Sequence, residues 1–268
     1  MNQLPLPLNL TKTIPALVPQ NVLPTNVTSW KHPTHRWYNF IAGYSPEFVQ
    51  LCIEQSALKA ESTILDPFAG CGTTLVAAQA AGIASIGFEP HPFFFQIARA
   101  KSLRSINLQE ITAIHRAIIG GFEILPSPDI ISVDAWKFLD KLFAPEVLSC
   151  LLGARVSLEK AGLAEHPLAF LILSRLADEC STAQTDGIYK APSSLKKAAI
   201  PKIAIDALIS DIVADLAQSQ IQRLPEARLF NNSSEDMRDL AAFSVDMIIT
   251  SPPYLNNFDY AEMTRMYL

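Results

Sequence analysis

Charged residues are scarce in this sequence, and its few cysteines lack the spacing of a metal site or a redox pair. Charged residues form 18% of the 268 residues, against about 25% in an average globular domain. The four cysteines, Cys52, Cys71, Cys150 and Cys180, show neither a CxxC pair nor the Cys/His spacing of a metal site. This pattern argues against a bound metal and fits a reducing compartment. Hydrophobic residues form 49% of the chain, so a large core is expected and wholesale disorder is not.

Long apolar runs are missing as well. No uninterrupted run approaches the roughly 18 residues that cross a membrane. The N-terminus also lacks the basic region and continuous apolar stretch of a secretory signal. We therefore expect a cytoplasmic chain with no membrane partner. Because the net charge is −5, any contact with nucleic acid would need a local basic face.

The composition divides the chain into four segments. Five prolines in the first 24 residues predict an extended arm, lying on the body or mobile, because proline fixes φ and removes a hydrogen-bond donor. A long middle segment with apolar residues at helical spacing predicts a mostly helical insertion, with a polar loop at 181–194 and a possible short strand near 129–133. The four predicted segments cover residues 1–44, 45–104, 105–224 and 225–268.

The second segment carries the clearest local signals. Ser45 is a helix N-cap, and the proline after it suits the first helical position. A β-branched, apolar run at 62–68 is followed by Gly70 and Gly72, an Ala-rich helix and a second strand at 83–89. This order is one βαβ unit of a parallel, doubly wound α/β sheet. Two further strands are predicted later in the chain, at 227–231 and 245–251.

The first strand runs into D-P-F-A-G-C-G-T-T, residues 66–74. No Gly-Lys-Ser/Thr follows, which excludes a P-loop, and the third glycine of the NAD fingerprint would fall at Leu75. What remains is a nucleoside-type pocket with Asp66 and Glu89 at two strand tips, the second being the usual acceptor for ribose hydroxyls. The extra acid favours a cationic ligand and points to S-adenosylmethionine. The alternative is a tight structural turn flanked by two carboxylates.

A second motif, T-S-P-P-Y, follows the last predicted strand at residues 250–254. The Ser251 hydroxyl and the Pro252 carbonyl are two acceptors that can hold the hydrogens of an exocyclic base amine, while Pro252 and Pro253 stiffen the chain. Tyr254 can stack on a base that has left the duplex. The alternative is a proline-rich turn with a buried tyrosine.

Together the two motifs make the sequence similar to the exocyclic-amino (cytosine-N4 or adenine-N6) DNA methyltransferases. Their signatures are D-P-F-x-G-x-G-T-T and (Asn/Asp/Ser)-Pro-Pro-Tyr, and the resemblance covers about residues 30–104 and 228–268. It implies a Rossmann-like methyltransferase sheet, S-adenosylmethionine as cofactor, DNA as partner and a restriction-modification or epigenetic role. The resemblance also implies that segment 45–104 is the cofactor-binding half of the methyltransferase domain and segment 225–268 its catalytic half. The serine form of the tetrapeptide favours cytosine N4 over adenine N6.

The resemblance also assigns roles to individual residues. Ser251, Pro252, Pro253 and Tyr254 would form the catalytic wall, and Glu89 would bind the ribose. In the stretch after the third strand, either Asp236 or Ser234 would line the pocket. The residues implied for the cofactor site are Phe40, Ser45, Asp66, Phe68, Gly70, Gly72, Thr73, Glu89 and Asp236.

Other features favour ordinary structural roles. We expect Phe93–Phe95 to lie in the core and the basic group His32, His35 and Arg36 to lie on the surface.

Only four of the seven strands of the family's 3-2-1-4-5-7-6 sheet are identifiable. We therefore predict the N-terminal part of a longer methyltransferase, or one half whose partner chain completes the sheet. Two other functions stay open: an RNA base methyltransferase, and a non-catalytic subunit that binds cofactor or nucleic acid.

Overall fold

The computed structural model describes residues 25–103, 105–185, 190–218, 224–238, 240–253, 261 and 264–267. Two short 3-10 helices, Asn26–Lys31 and His35–Trp37, come first. The further elements, in chain order, are α1 (Pro46–Glu54), β1 (Thr63–Asp66), α2 (Thr73–Ala80), β2 (Ala84–Phe88), α3 (Pro92–Lys101), α4 (Leu108–Gly121), α5 (Val133–Leu139), α6 (Pro145–Lys160), α7 (Pro167–Cys180), β3 (Ala183–Thr185), β4 (Lys190–Leu195), α8 (Pro201–Gln218), β5 (Ala227–Phe230) and β6 (Met247–Ile248).

Within the described residues, four strands form a parallel sheet in the order β5-β2-β1-β6. These are the third, second, first and fourth predicted strands, so the α/β fold class and the 3-2-1-4 order are confirmed. Leu65 at the centre lies opposite Ile86 on one side and Ile248 on the other. Since all four strands run in the same direction, their carboxyl ends meet at one edge, where ligands of such sheets bind.

The local signals of the βαβ unit operate as the sequence predicts. Ser45 caps α1, its Oγ accepting from the Phe48 N–H at 3.2 Å, with proline at the first helical position. Helix α2 begins directly after Gly72 and ends before Gly82, which has a φ of +76°. Phe93 and Phe94 on α3 are buried, as expected, and join a core shared with the insertion, whereas Phe95 is only half-buried.

The insertion is mostly helical, as predicted, and comprises α4 to α8. Two details of that prediction are wrong. The strand expected near 129–133 is a turn followed by α5, because Ser132 caps that helix and Trp136 Nε1 closes the turn on the Pro128 carbonyl at 2.8 Å. The loop expected at 181–194 contains the antiparallel hairpin β3–β4. None of the described helices combines the length and apolarity needed to cross a membrane.

The predicted arm up to residue 24 lies outside the described residues. From residue 25 onward it forms two short 3-10 helices and packs against the body. Buried Asp215 on α8 accepts from the Thr34 N–H at 3.3 Å, from Arg36 Nε at 3.0 Å and from Trp37 Nε1 at 2.9 Å. His35 is buried, so its expected surface position is wrong. The arm is therefore tied to the helical insertion, and it leads from there to the edge of the sheet.

Candidate active site

Both sequence motifs lie at the carboxyl edge of the sheet, on neighbouring strands. β1 ends at Asp66, and β6 leads within three residues to Ser251. The backbone pairing reaches Ile249, whose N–H donates to the Leu65 carbonyl at 3.1 Å. One residue further on, Thr250 Oγ1 donates to Asp66 Oδ1 at 2.8 Å. The fold thus joins two loops whose residues are 184 positions apart in the chain.

The Asp66 carboxylate is buried and bound by protein donors on both oxygens. Oδ2 accepts from the Tyr44 hydroxyl at 2.8 Å and from Thr74 Oγ1 at 2.7 Å, and these two hydroxyls also contact each other. Oδ1 accepts from the Thr250 hydroxyl and from the Phe68 N–H at 3.1 Å. Burial raises the pKa of Asp66, and these hydrogen bonds act in the opposite direction. A carboxylate has about four acceptor positions, so the described donors are enough to fill them.

Glu89 follows β2 and holds two loops by their backbone. Its Oε2 accepts from the Gly70 N–H and its Oε1 from the His91 N–H, both at 2.8 Å. The residue is 8% exposed, and burial raises the pKa of its carboxyl group. With one described donor on each oxygen, both oxygens keep acceptor capacity. Glu89 can therefore accept from ligand hydroxyls while it fixes the glycine turn.

The glycine turn needs its glycines for two reasons. Gly70 has a φ of +51° and Gly72 a φ of +82°, in the left-handed region that favours glycine. A Cβ on Gly70 would lie 3.3 Å from Phe40 Cε1, and one on Gly72 would lie 3.2 Å from Ala98 Cα. The Phe40 ring is 4.7 Å from the ring of Phe94. An aromatic wall therefore stands directly against the turn.

The other predicted cofactor residues differ in accessibility. Ser45 is 1% exposed, and its hydroxyl caps α1. Phe68 is 37% exposed, and Thr73 is half-buried at the first position of α2. No side chain caps α2 at Gly72. The positive end of this helix dipole therefore favours a negatively charged group beside the turn.

Asp236 lies apart from the β1–β6 pair. It follows β5, which β2 separates from β1, and its carboxylate accepts from Arg238 Nε at 2.7 Å and from Arg238 Nη2 at 2.6 Å. These hydrogen bonds lower the pKa of Asp236. The alternative residue, Ser234, is half-buried in the same stretch. The described contacts do not link either residue to the glycine turn.

The predicted catalytic residues continue directly from the shared edge. Ser251 is half-buried, and Pro252 and Pro253 are exposed. Tyr254 lies outside the described residues. Among the described residues, no group of three or more His, Cys, Asp or Glu side chains is arranged to hold a metal ion.

Sequence reasoning missed three hydroxyl groups that converge on Asp66. Thr74 and Thr250 belong to the two motifs, so their place in the sequence could have marked them as site residues. Tyr44 was less clearly marked, since it only precedes the helix cap Ser45 in the segment assigned to the cofactor. None of the three was expected to bind a carboxylate, and Thr250 reaches Asp66 only through the parallel pairing of β1 with β6.

Comparisons with known proteins agree with this geometry. The N6/N4 methyltransferase family model, described as DNA methylase, matches residues 18–100. The chain is 27% identical to the type II methyltransferase M.BsoBI of Geobacillus stearothermophilus, over 87% of this chain and 51% of the relative. It is 26% identical to the type II methyltransferase M.AvaI of Nostoc sp., over 88% of this chain and 52% of the relative.

The extent of these matches differs from one comparison to the next. The chain spans about half the length of the curated relatives it matches. No solved structure matches it significantly. The matched family region contains the glycine turn, and the alignments with the relatives cover most of the chain. Motifs, sheet order and relatives thus agree that the chain is similar to the exocyclic-amino DNA methyltransferases.

Proposed function

We propose that this protein transfers a methyl group from S-adenosylmethionine to an exocyclic base amine in DNA, with cytosine N4 favoured over adenine N6. The observation that carries the proposal is the contact between Thr250 and Asp66 at 2.8 Å. It sets the serine–proline–proline corner beside the glycine turn, as direct transfer between two bound molecules requires. The names of the curated relatives, type II methyltransferases, support the same activity.

The residues around the turn suit this cofactor. When bound, S-adenosylmethionine supplies an electrophilic methyl group on a positively charged sulfonium. Glu89 has acceptor capacity for the ribose hydroxyls, and Phe40 offers an aromatic face against Gly70. The uncapped start of α2 at Thr73 suits the carboxylate end of the cofactor. The oxygens of Asp66 are occupied by protein donors. Asp66 therefore contributes its negative charge to the site without binding the cofactor directly.

The catalytic corner would hold the acceptor amine. The lone pair of an exocyclic amine is delocalised into its ring, which makes the nitrogen a poor nucleophile. The Ser251 hydroxyl and the Pro252 carbonyl can accept its two hydrogens and direct the nitrogen towards the methyl group. The target base must first leave the helix stack. Tyr254 is proposed to stack on the flipped base.

The test is methyl transfer from tritium-labelled S-adenosylmethionine to a pool of duplex DNA of random sequence and to a matched RNA pool. We expect label in DNA, recovered after digestion as N4-methylcytosine. Ser251→Ala removes one amine acceptor and should lower the rate at least tenfold, as positioning losses typically do. Ser157→Ala, on α6 of the insertion, is the matched control and should behave as wild type.

Other outcomes separate the alternatives. N6-methyladenine in the digest would overturn the base assignment and leave the reaction class standing. Label confined to RNA would favour the RNA methyltransferase. Cofactor binding by calorimetry without transfer to either pool would favour a non-catalytic subunit. This outcome matters because the chain spans about half the length of the curated relatives.

A further inference from the structure

The carboxylate of Asp66 connects three separate parts of the site. Tyr44 comes from the arm before α1, Thr74 from the first turn of α2, and Thr250 from the segment after β6. We call these four residues the Asp66 clasp. Asp66 is 1% exposed and Thr74 is fully buried, so the clasp operates in surroundings where hydrogen bonds to a charged group are strong.

The clasp begins where the backbone pairing ends. β6 has only two residues, paired with Ile64 and Leu65 of β1. The described backbone hydrogen bonds between the two strands reach Ile249. Beyond that point, the side-chain bond from Thr250 to Asp66 continues the connection. The next residue is Ser251, so this hydroxyl is the last described tie before the catalytic corner.

The same carboxylate also fixes the cofactor side. Its Oδ1, which accepts from Thr250, accepts from the Phe68 N–H in the glycine turn as well. One oxygen atom thus bonds to both loops at once. A shift of the corner relative to the turn would have to break one of these two bonds, which is costly because hydrogen bonds to a charged group are stronger than neutral ones.

We propose that Thr250 is a positioning residue, which acts through Asp66 to set the distance between the methyl donor at the glycine turn and the amine held at the serine–proline–proline corner. The inference rests on the proposed function. Methyl transfer needs the reacting atoms about 3 to 3.5 Å apart, and a misplacement of about 1 Å can cost a hundredfold in rate. Tyr44 supports the arrangement from the other oxygen.

The test compares Thr250→Val with Thr250→Ser. Valine keeps the shape of threonine and removes the hydroxyl, whereas serine keeps the hydroxyl. We expect Thr250→Val to lower kcat at least tenfold with the Kd for S-adenosylmethionine within about twofold of wild type, and Thr250→Ser to restore most of kcat. Thr112→Val, on the exposed face of α4 where the hydroxyl bonds only locally to the Leu108 carbonyl, is the matched control.

A second measurement does not depend on turnover. Amide hydrogen exchange should show faster exchange at Phe68 and Ile249 in Thr250→Val, while amides between β2 and β5 keep their protection. An unchanged kcat in Thr250→Val would overturn the proposal. So would a loss of kcat that merely follows the unfolded fraction or a weakened cofactor Kd, since either result indicates a general structural role.

The experiments distinguish a failure of the proposed methyltransferase function from a failure of the positioning role of Thr250. If wild-type protein transfers no methyl group, the proposed function fails, and the clasp is judged by exchange. Joint loss of protection at Phe68 and Ile249 then supports the connection between the loops, and unchanged protection overturns it. Tyr44→Phe provides a second variant that removes a hydroxyl from Asp66 without touching either motif, and it should give a smaller loss in the same direction.

Discussion

The side-chain nitrogen of Lys101 donates to the carbonyl oxygen of Tyr38 at 2.6 Å, inside the protein. It also donates to the His35 carbonyl at 2.9 Å. Lys101 thereby ties the folded arm to α3. Its burial lowers the pKa of the amine to about 8, with Arg175 acting in the same direction and Cys71 opposing it. Burial raises the pKa of the Cys71 thiol to about 12.

The depressed pKa of Lys101 predicts a pH-dependent stability. Between about pH 8 and pH 10.5 the unfolded chain binds a proton at Lys101 that the folded chain does not, so Lys101 contributes a rise in the free energy of unfolding with pH, by at most about 1.4 kcal/mol per unit. Cys71, whose pKa burial raises from 9.0 to about 12, contributes in the opposite direction above about pH 9. Urea unfolding at several pH values measures the slope. In Lys101→Met this contribution to the slope should vanish, and an unchanged difference between pH 8 and pH 10 would contradict the assignment.

Asp215 should be essential for holding the arm. Asp215→Asn removes the charge that accepts from Arg36, Trp37 and the Thr34 backbone, and we expect a loss of about 2 to 3 kcal/mol in the free energy of unfolding. The control is Asp206→Asn on the same helix. Asp206 is exposed and pairs with His115, so its loss should cost less than about 1 kcal/mol. Equal effects of the two variants would refute the anchoring role.

The crossing of α4 and α6 depends on glycine. A Cβ on Gly153 would lie 2.2 Å from the Gly121 carbonyl oxygen and 2.6 Å from that of Ile124. Gly153→Ala should therefore destabilise the insertion by about 1 to 3 kcal/mol or more, because the helices must separate. Gly120→Ala meets no atom within 4 Å and should stabilise by about 0.5 to 1 kcal/mol. Thermal unfolding followed by circular dichroism compares the two.

Gly70 should matter for the cofactor as well as for folding. Gly70→Ala places a methyl group at a φ of +51° and 3.3 Å from Phe40, so we expect S-adenosylmethionine to bind at least tenfold more weakly by calorimetry. Gly82→Ala imposes a similar backbone strain at a φ of +76°, with no atom within 4 Å of the new methyl group. Both variants should lose about 1 to 2 kcal/mol of stability, but Gly82→Ala should keep cofactor affinity.

Sequence signals were enough to predict the sheet and the edge at which the two motifs meet. The cap at Ser45, the glycines at 70 and 72 and the apolar run after Gly82 each determine the backbone within a few residues, and the strand order was implied by the resemblance to the family's 3-2-1-4-5-7-6 sheet. These signals could not show that Asp66 would bind Thr250, because a hydrogen bond across 184 positions depends on the finished fold.

The errors have a related cause. His35 and Arg36 are polar, which favours the surface, yet Asp215 from α8 and Lys101 from α3 provide buried partners for this stretch. The 129–133 run contains β-branched residues typical of strands, but the cap at Ser132 and the contact of Trp136 with Pro128 decide for a helix. In both places contacts formed in the fold outweighed the preference of the individual residues: tertiary contacts at His35 and Arg36, and local contacts at 129–133.

The anchoring of the arm by Asp215 also has a thermodynamic consequence. The arm that α8 holds at Arg36 and Trp37 continues to Phe40, which stands against the glycine turn. A small molecule that binds only the native turn raises the melting temperature of whatever unfolds together with it. Saturating S-adenosylmethionine, bound as proposed, should therefore protect α8 against heat and proteases, although α8 lies outside the motif proposed to bind it.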